Sequence, residues 1–450
     1  MGIILAKMVS IRSLPQWGIE PVPLKYRLIR GTEYFILWSS LGVGLLVFSA
    51  GSFLSSARFA DAIFAIIIGS VAGSFLLALA GKIGSDNAVP SLISMRPSFG
   101  IHGSYIPAIL NVMQLVGWTI FEIMIMSKAA EMLVNNIIPY YAWTIIIGSF
   151  IALLGIVGPL TVIKRWIGKF SIWIVYGSTA IILTSLLTSG HLSKILSAST
   201  MSASSTNSIA TMSFFTALDL VIAMPISWMP LVADYNRFAH NSKGAFRGTL
   251  IGFTITNILF YFGGLLLGRS DVVAIISVIQ SLFFGFLLLV LLADEADNAF
   301  ADVYSAAVSA QNIFYKVNQR YLIIGFTALS TLLAILVPIS EYQTFILLIG
   351  AVFVPLFGVV LSDYYVVKHQ KYDVKNTMYG KDALRIGSPA IISWAFGVLV
   401  YYLLSSLSPI YIPQLSAAGA TIPSLVGSSL LYLSIVYGRK KVVYYLLKKS

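Results

Sequence analysis

Residues 211–240, TMSFFTALDLVIAMPISWMPLVADYNRFAH, are the stretch of the sequence that decides the fold. The stretch is apolar enough to enter a membrane, yet Pro225 and Pro230 lie in its middle. Each proline removes a backbone donor and clashes with the preceding turn, so we expect an interrupted helix. Unwound backbone survives in lipid only beside protein or a water-filled cavity, and an interrupted span is typical of a transporter binding site. The alternative is a kinked helix that binds nothing.

The composition is that of a membrane protein. The chain has 450 residues, of which 58% are hydrophobic and 10% charged, and its mean hydropathy is +0.89. Because open sheets cannot face lipid, we predict an all-α polytopic membrane protein. Cysteine is absent from the sequence and the four histidines are scattered, which argues against a thiolate or zinc site. With no Ser/His pair or His/Asp cluster in an apolar run, we expect neither an enzyme nor a cofactor beyond a coupling cation.

Apolar runs of membrane-spanning length number twelve in the sequence. With the amino terminus in the cytoplasm, the inner segments contain most of the 29 Lys and Arg residues, which predicts cytoplasmic termini in the cell membrane. The net charge of +12 is therefore a topology signal, and we expect no nucleic-acid partner. The first 30 residues lack the long apolar core of a removed signal peptide. The runs fall near 32–57, 61–83, 105–133, 142–162, 166–189, 211–238, 246–268, 277–313, 321–339, 343–366, 387–406 and 420–437.

A Ser/Thr-rich loop at 190–210 divides the chain after the fifth span. If spans 1–5 and 6–10 are related, their odd number forces them into opposite orientations, which is the inverted repeat of many secondary transporters. Gly42, Gly44 and Gly51 interrupt span 1 as the prolines interrupt span 6. The predicted segments are a cytoplasmic tail at 1–30, a first repeat at 31–189, the extracellular loop at 190–210, a second repeat at 211–366, a cytoplasmic loop at 367–386, spans 11 and 12 at 387–437, and a basic cytoplasmic tail at 438–450.

Spans 3 and 8 are unusually polar. Asn111, Gln114, Trp118 and Glu122 follow at spacings of three and four, so they share one face of span 3. A charge at the bilayer centre costs roughly 3 kcal/mol, so carboxylates there must face a cavity, bind a cation, carry a proton or pair with a base. The alternative for the acidic run of span 8 is that it lies at the solvated inner end of that span. Span 8 packs four carboxylates and one amide into nine positions: Asp294, Glu295, Asp297, Asn298 and Asp302.

Several stretches together resemble the nucleobase–cation symporters, the purine/cytosine permease family, and most of all its cytosine permease and hydroxymethylpyrimidine transporter-like members. The resemblance covers nearly the whole chain and implies a LeuT-type fold of ten core helices plus two. It implies uptake of a nucleobase-like ring driven by Na⁺ or H⁺. The stretches are GIEPVP (18–23), RPSFGIHGSYIPAILNVMQLVGW (96–118), ADYNRF (233–238), DNAFADVYSAAVSAQN (297–312) and VPLFGVVLSDYYVVKHQKY (354–372).

The resemblance implies a substrate site. Family members place the ring between a Trp on span 3, matched by Trp118, and an aromatic residue on span 6, matched with an offset by Trp228. Glu122 stands where the family often has Gln. Its carboxylate would accept amine and ring N–H donors, and when protonated it could also donate, so Glu122 is a candidate ring ligand and a candidate proton carrier. Asn298 and Asp302 match polar ligands on span 8, and Gln114 shares the face of Trp118. The remaining candidates offer span 6 backbone: Ala223, Met224, Pro225 and Ser227.

The resemblance also implies a Na⁺ site between spans 1 and 8. Asp297 falls where the family usually has a hydroxyl residue, so it would either bind Na⁺ more strongly or replace it by carrying a proton. The other matched positions are Gly44, Val47 and Phe48 on span 1 and Ala293 and Ala296 on span 8.

Two other functions remain open on the sequence. An amino-acid or amine symporter of the same fold would show similar broken helices, although the Trp118/Glu122 face suits a planar ring better. A passive channel needs a continuous polar lining, whereas polarity here concentrates at one level. The identity of the ring and the choice between Na⁺ and H⁺ stay undecided, and we expect a monomer in the lipid bilayer.

Overall fold

The computed structural model describes residues 17–157, 171–190, 212–268, 272–338, 341–381, 383–405, 407–408 and 419–447. In these ranges the chain is almost wholly helical, and its β-structure is limited to two isolated bridges. We number the helices by predicted span. They are α1a (Gly31–Ser40), α1b (Leu45–Phe53), α2 (Phe59–Asn87), α3 (Tyr105–Leu133), α4 (Tyr140–Val157), α5 (Ser171–Thr188), α6a (Phe214–Ser227), α6b (Met229–Asn236), α7 (Ser242–Leu267), α8 (Phe286–Gln311), α9 (Gln319–Leu336), α10 (Tyr342–Leu361), α11 (Ser388–Leu404) and α12 (Thr421–Leu447).

The all-helical membrane fold is confirmed. Within the described residues, nine helical stretches are long and apolar enough to cross a membrane, a bent pair makes a tenth, and two further apolar helices are shorter. Each of the twelve predicted runs contains one of these helices. The facing ends of spans 4 and 5 and nearly all of the Ser/Thr-rich loop lie outside the described residues.

The predicted span at 277–313 is two helices, which corrects the sequence reading. A separate helix, Val272–Ser281, precedes α8. Between them Phe283, Phe284 and Gly285 all have positive φ values of 48°, 54° and 79°. A left-handed backbone cannot continue an α-helix, so α8 begins only at Phe286. A run of apolar residues through the turn concealed this break, because hydropathy does not register backbone direction.

The two interrupted spans differ from the prediction in degree. In span 1 the helix unwinds over residues 41–44, and α1a and α1b meet at an angle of 65°. In span 6 the interruption between α6a and α6b is the single residue Trp228, whose φ of −86° and ψ of −13° remain helical. The strong break predicted from Pro225 and Pro230 is therefore nearer to the alternative, a locally disturbed helix. Gly42 and Gly44 mark the deeper break, whereas Gly51 lies within α1b and does not interrupt the span as predicted.

Helices α1a, α1b, α2, α6a and α7 pack extensively against one another, while α8 packs mainly against α3. Glycines on α7 permit the closest approach. A Cβ atom on Gly252 would meet the carbonyl oxygen of Phe35, and one on Gly264 would meet that of Phe48. Small residues of this kind let membrane helices pack at short distance. The arrangement gives two groups of helices, with the break of span 1 facing α8 between them.

The segment before α1a crosses the end of the bundle at which α6b ends. The Gly18 carbonyl accepts a hydrogen bond of 2.6 Å from Arg237 Nη1, and the Ile19 carbonyl accepts one from the Tyr379 hydroxyl. Asp234 and Arg237, which are three residues apart at the end of span 6, do not form an ion pair with each other. Asp234 instead accepts the Ser91 backbone N–H at 2.9 Å, while Arg237 also donates to the Tyr304 hydroxyl. We call residues 17–22 the N-terminal strap.

Candidate functional site

The unwound backbone of span 1 is held by two side chains of α8. Asn298 Nδ2 donates to the Val43 carbonyl at 2.7 Å, and Glu295 Oε2 accepts the N–H of Leu45 at 3.0 Å. Leu45 is the first residue of α1b, where the backbone N–H groups have no partner within the helix. A carboxylate at that position is also stabilised by the positive end of the helix dipole. The break is thus completed by α8 rather than by span 1 itself.

Two other carboxyl groups of α8, those of Asp294 and Asp297, lie at the end of α1a. Ser40, the last residue of α1a, donates its hydroxyl to Asp294 Oδ1 at 2.7 Å and also adjoins Asp297. Asp294 Oδ2 and Asp297 Oδ1 are buried and accept no hydrogen bond from the described residues. The carboxyl end of a helix has a negative partial charge, so two anions there require a proton or a cation. This trio can act as a cation or proton site.

A third group of carboxyls lies on the other side of the α1 break. Glu122 of α3 and Asp302 of α8 adjoin each other, and Glu295 is within electrostatic range of Glu122. Glu122 and Asp302 are 3% and 1% exposed. Glu122 Oε2 and Asp302 Oδ2 accept no hydrogen bond from a described donor. Because buried polar groups are normally satisfied, these two oxygens point to a ligand that brings its own donors.

Aromatic rings cover the Glu122 face of α3. Trp118 lies one turn before Glu122, and its ring packs edge-on at 5.9 Å from Tyr342 and 5.3 Å from Phe345 of α10. The Tyr342 hydroxyl donates to the Leu46 carbonyl of α1b at 3.0 Å. The start of α10 therefore connects the aromatic group to α1b, the second half of the broken span.

The irregular backbone of span 6 is satisfied by its own Ser227 and by Gln114 of α3. The Ser227 hydroxyl donates to the Met224 carbonyl at 2.7 Å, and Gln114 Nε2 donates to the Ser227 carbonyl at 2.8 Å. These two carbonyls, which we expected to be free for a ring, already have partners. Trp228 packs edge-on against Trp38 at 6.0 Å and lies 6.4 Å from the ring of Phe253. It belongs to a different aromatic cluster from the one that contains Trp118.

The structure brings together many, but not all, of the residues singled out in the sequence. The α1 break has near it Glu122, Asn298 and Asp302, and Trp118 lies one turn from Glu122. Gln114 contacts span 6, where it donates to the Ser227 carbonyl. Ala223, Met224 and Pro225 are buried in α6a. Ala296 and Asp297 are buried near Ser40, whereas Ala293 lies on an exposed part of α8. Val47 and Phe48 lie within helix α1b, and the Gly44 carbonyl is used by their N–H groups.

Ser40 and Val43 were not singled out in the sequence, and Asp294 and Glu295 were noted there in the acidic run of span 8 without a role at the site. The signal for the last two was present in the sequence. Residues 295, 298 and 302 recur at spacings of three and four and share one face of α8, while 294 and 297 share a neighbouring face. Separating the faces would have distinguished two acidic groups. Ser40 and Val43 carried no signal of their own.

The site contains five buried carboxyl groups, and none of them forms an ion pair within the described residues. The ion pairs found there are Arg58–Asp61, Lys82–Asp86 and Lys128–Glu131. An uncompensated buried carboxylate is costly, so the membrane interior of this protein requires protons, cations or donor-rich ligands. The five carboxyls are those of Glu122, Asp294, Glu295, Asp297 and Asp302.

This chain is similar to known proteins in sequence and in fold. Residues 21–427 match the family described as permease for cytosine/purines, uracil, thiamine, allantoin. The cytosine permease of Escherichia coli K12 is 22% identical over 82% of this chain and 85% of its own. The structure of Mhp1, a nucleobase-cation-symport-1 family transporter in a closed conformation with bromovinylhydantoin bound, superposes with a TM-score of 0.75 at 18% identity over 95% of this chain and 96% of its own. A Na⁺-coupled sialic acid symporter superposes with a TM-score of 0.60 at 12% identity, over 96% and 95% of the two chains. The chain therefore belongs to the nucleobase–cation symporter family, the permeases for cytosine and purines, and is a multi-pass membrane transporter rather than an enzyme.

Proposed function

We propose that this protein imports a planar heterocycle together with a cation, through a site between the break of span 1 and helices α3 and α8. The observation that carries the proposal is the set of buried carboxyls around that break, which have no basic partner among the described residues. Substrate and cation each supply what the carboxyls lack. Coupling follows because both ligands stabilise the same arrangement of α1 and α8.

The cation belongs at the end of α1a. Ser40, Asp294 and Asp297 supply oxygen atoms, which are the ligands that hard cations such as Na⁺ prefer. A proton on one of the two carboxyls would serve the same electrostatic purpose. The Na⁺-coupled neighbour supports a cation in this fold, and the acidic pair is compatible with Na⁺ or H⁺. The resemblance noted in the sequence adds Ala293 and Ala296 as small residues beside the cation, and of the two only Ala296 is buried.

The ring belongs beside Trp118. Stacking on an aromatic side chain contributes about 1–3 kcal/mol per base in nucleic-acid complexes, and we expect a similar contribution here. Glu122 and Asp302 accept N–H groups of the ring edge, and Asn298 Oδ1, which accepts no hydrogen bond from the described residues, is a third acceptor. Gln114 holds Ser227 in place, so its role is to position span 6. Cytosine, with an exocyclic amine, fits this acceptor-rich edge, and so does a hydroxymethylpyrimidine.

The transport cycle that we propose is a rocking movement of two groups of helices. Spans 1, 2, 6 and 7 move as one group against the rest, because they pack most extensively among themselves. The two inverted repeats comprise 31–189 and 211–366. Both termini lie in the cytoplasm, the protein resides in the cell membrane, and it functions as a monomer.

An amino-acid symporter of the same fold is less compatible with the site. An amino acid would bring its own carboxylate close to Glu122 and Asp302, and like charges at short distance repel. An amine without a carboxylate escapes this objection. A passive channel is disfavoured because polar groups concentrate at one level rather than lining a continuous path.

Uptake of labelled cytosine into proteoliposomes tests the proposal. One set of vesicles receives an inward Na⁺ gradient, a second an inward H⁺ gradient, and a third neither. We expect accumulation above equilibrium in one of the first two sets and not in the third. Equal, unsaturable flux in all three would indicate a channel. If amines accumulate and no ring compound competes with them, the protein is an amine symporter and the proposed ring site is wrong.

A further inference from the structure

The Trp118 side of the site offers a ligand acceptors and negative charge, but few donors. Glu122 Oε2, Asp302 Oδ2, Asn298 Oδ1 and Gln114 Oε1 are all buried and accept no hydrogen bond from the described residues. Carboxylates accept hydrogen bonds only. A neutral nucleobase presents carbonyl or ring-nitrogen acceptors as well as N–H groups, so part of its edge would face these oxygens without a donor.

The donors of the same neighbourhood are already engaged within the protein. Asn298 Nδ2 donates to Val43, Gln114 Nε2 to Ser227 and the Tyr342 hydroxyl to Leu46. These donors are therefore not available to a ligand, whereas the four acceptor oxygens are. That imbalance is an observation separate from the acidity of the cluster, and both indicate the same kind of ligand.

Acids elsewhere in the protein interior behave differently. Asp219 accepts backbone N–H groups of Ala420 and Thr421, and Asp234 accepts that of Ser91. Their burial is explained by structure: they cap or join helices. Glu122 and Asp302 adjoin each other, and within the described residues no backbone N–H donates to either, so no capping role explains them.

We propose that the substrate is a planar heterocycle that carries a positive charge next to its N–H groups, such as an amidinium or an N-quaternised or protonated aminopyrimidine. The inference rests on the proposed function and specifies its substrate class. The charge neutralises Glu122 and Asp302, the N–H groups reach their free oxygens, and the cation lies against Trp118, whose ring attracts it further. A neutral base brings no charge, so the pair would then depend on a proton shared between Glu122 and Asp302.

Benzamidine and benzamide form a matched pair of probes, since both are planar and similar in shape and only benzamidine is a cation. Binding to the purified protein is measured by thermal shift and by competition with labelled cytosine uptake. Cytosine and uracil are tested as neutral bases alongside. We expect benzamidine to bind at least about tenfold more tightly than benzamide, because hydrogen bonds to charged groups contribute about 1.5–3 kcal/mol.

Two isosteric substitutions and a control locate the effect. In Glu122→Gln and Asp302→Asn we expect the preference for benzamidine to disappear while benzamide binds as well as before or better. Glu131→Gln lies on the same helix but pairs with Lys128, and it should keep the wild-type preference. Because the substitutions preserve shape, a thermal transition near that of wild type shows that each variant is folded.

The outcomes separate this inference from the proposed function. If benzamide or the neutral bases bind more tightly than benzamidine, the cationic substrate class is wrong and heterocycle transport stands. If benzamidine is preferred equally by wild type and both variants, its site lies elsewhere and the inference is overturned. If none of the probes and bases binds or competes, both the inference and the proposed heterocycle site are wrong.

Discussion

Spans 1 and 6 begin the two proposed repeats, and they interrupt their helices in opposite ways. Span 1 unwinds at its glycines and depends on α8 for completion, through Asn298 and Glu295. Span 6 contains two prolines yet keeps helical geometry, and it satisfies its carbonyls with Ser227 and Gln114. The comparison teaches that the deep break is the one whose backbone groups are completed by buried polar side chains of α8, next to the unpaired carboxyls. The number of helix-breaking residues is a poorer guide.

The largest effect that we expect is from Glu122→Ala, which removes an acceptor from the side of the site that faces the span 1 break. Uptake of labelled substrate into proteoliposomes should become undetectable, with unchanged protein in the membrane fraction. Glu131→Ala serves as the matched control on the same helix and should retain transport. Transport at the wild-type rate by Glu122→Ala would remove α3 from the site.

Asp297→Asn tests whether the cation acts on span 1. The substitution keeps the size of the side chain but removes its charge near Ser40. We expect a clear change in ion dependence, with either loss of the Na⁺ requirement or a shift of the Na⁺ concentration for half-maximal uptake by about tenfold or more. Competition among ring compounds should stay the same. An unaltered ion dependence would exclude Asp297 from coupling.

Asn298→Ala removes the donor that holds the Val43 carbonyl. Loss of a buried hydrogen bond costs about 1–3 kcal/mol, so we expect uptake to fall by about tenfold and the thermal transition to decrease. The counterpart in span 6 is Ser227→Ala, which leaves the Met224 carbonyl without its hydroxyl donor. A larger loss of transport in Ser227→Ala than in Asn298→Ala would reverse the comparison between the spans.

The smallest effect should follow from Pro230→Ala. Alanine restores a backbone donor to a helix that is already nearly continuous, so we expect uptake within about twofold of wild type and equal or greater thermal stability. Gly42→Ala is the contrasting change in span 1, because its Cβ would collide with the Thr256 hydroxyl. Similar results for the two variants would mean that the glycine break has no special role.

The sequence was a good guide to the fold because hydropathy determines membrane helices directly. A helix overlaps each of the twelve predicted spans. The prediction failed at Phe283 and Phe284, because a left-handed turn between apolar residues does not change the hydropathy. The sequence predicted the acidic face of α8, since carboxyls inside a membrane are informative in themselves. It could not predict that Ser40 and Val43 are the span 1 partners of that face. Their roles depend on the register between α1 and α8, which tertiary packing fixes.

The N-terminal strap has a consequence for how the protein is made. Its carbonyl at Ile19 is bonded to the Tyr379 hydroxyl, 360 residues later in the chain. The strap leaves the ribosome before Tyr379, which is synthesised only after α10. This end of the bundle therefore cannot close during translation until ten spans have been inserted. We expect protease to cleave the strap in nascent chains arrested before residue 379 and to spare it in the completed protein.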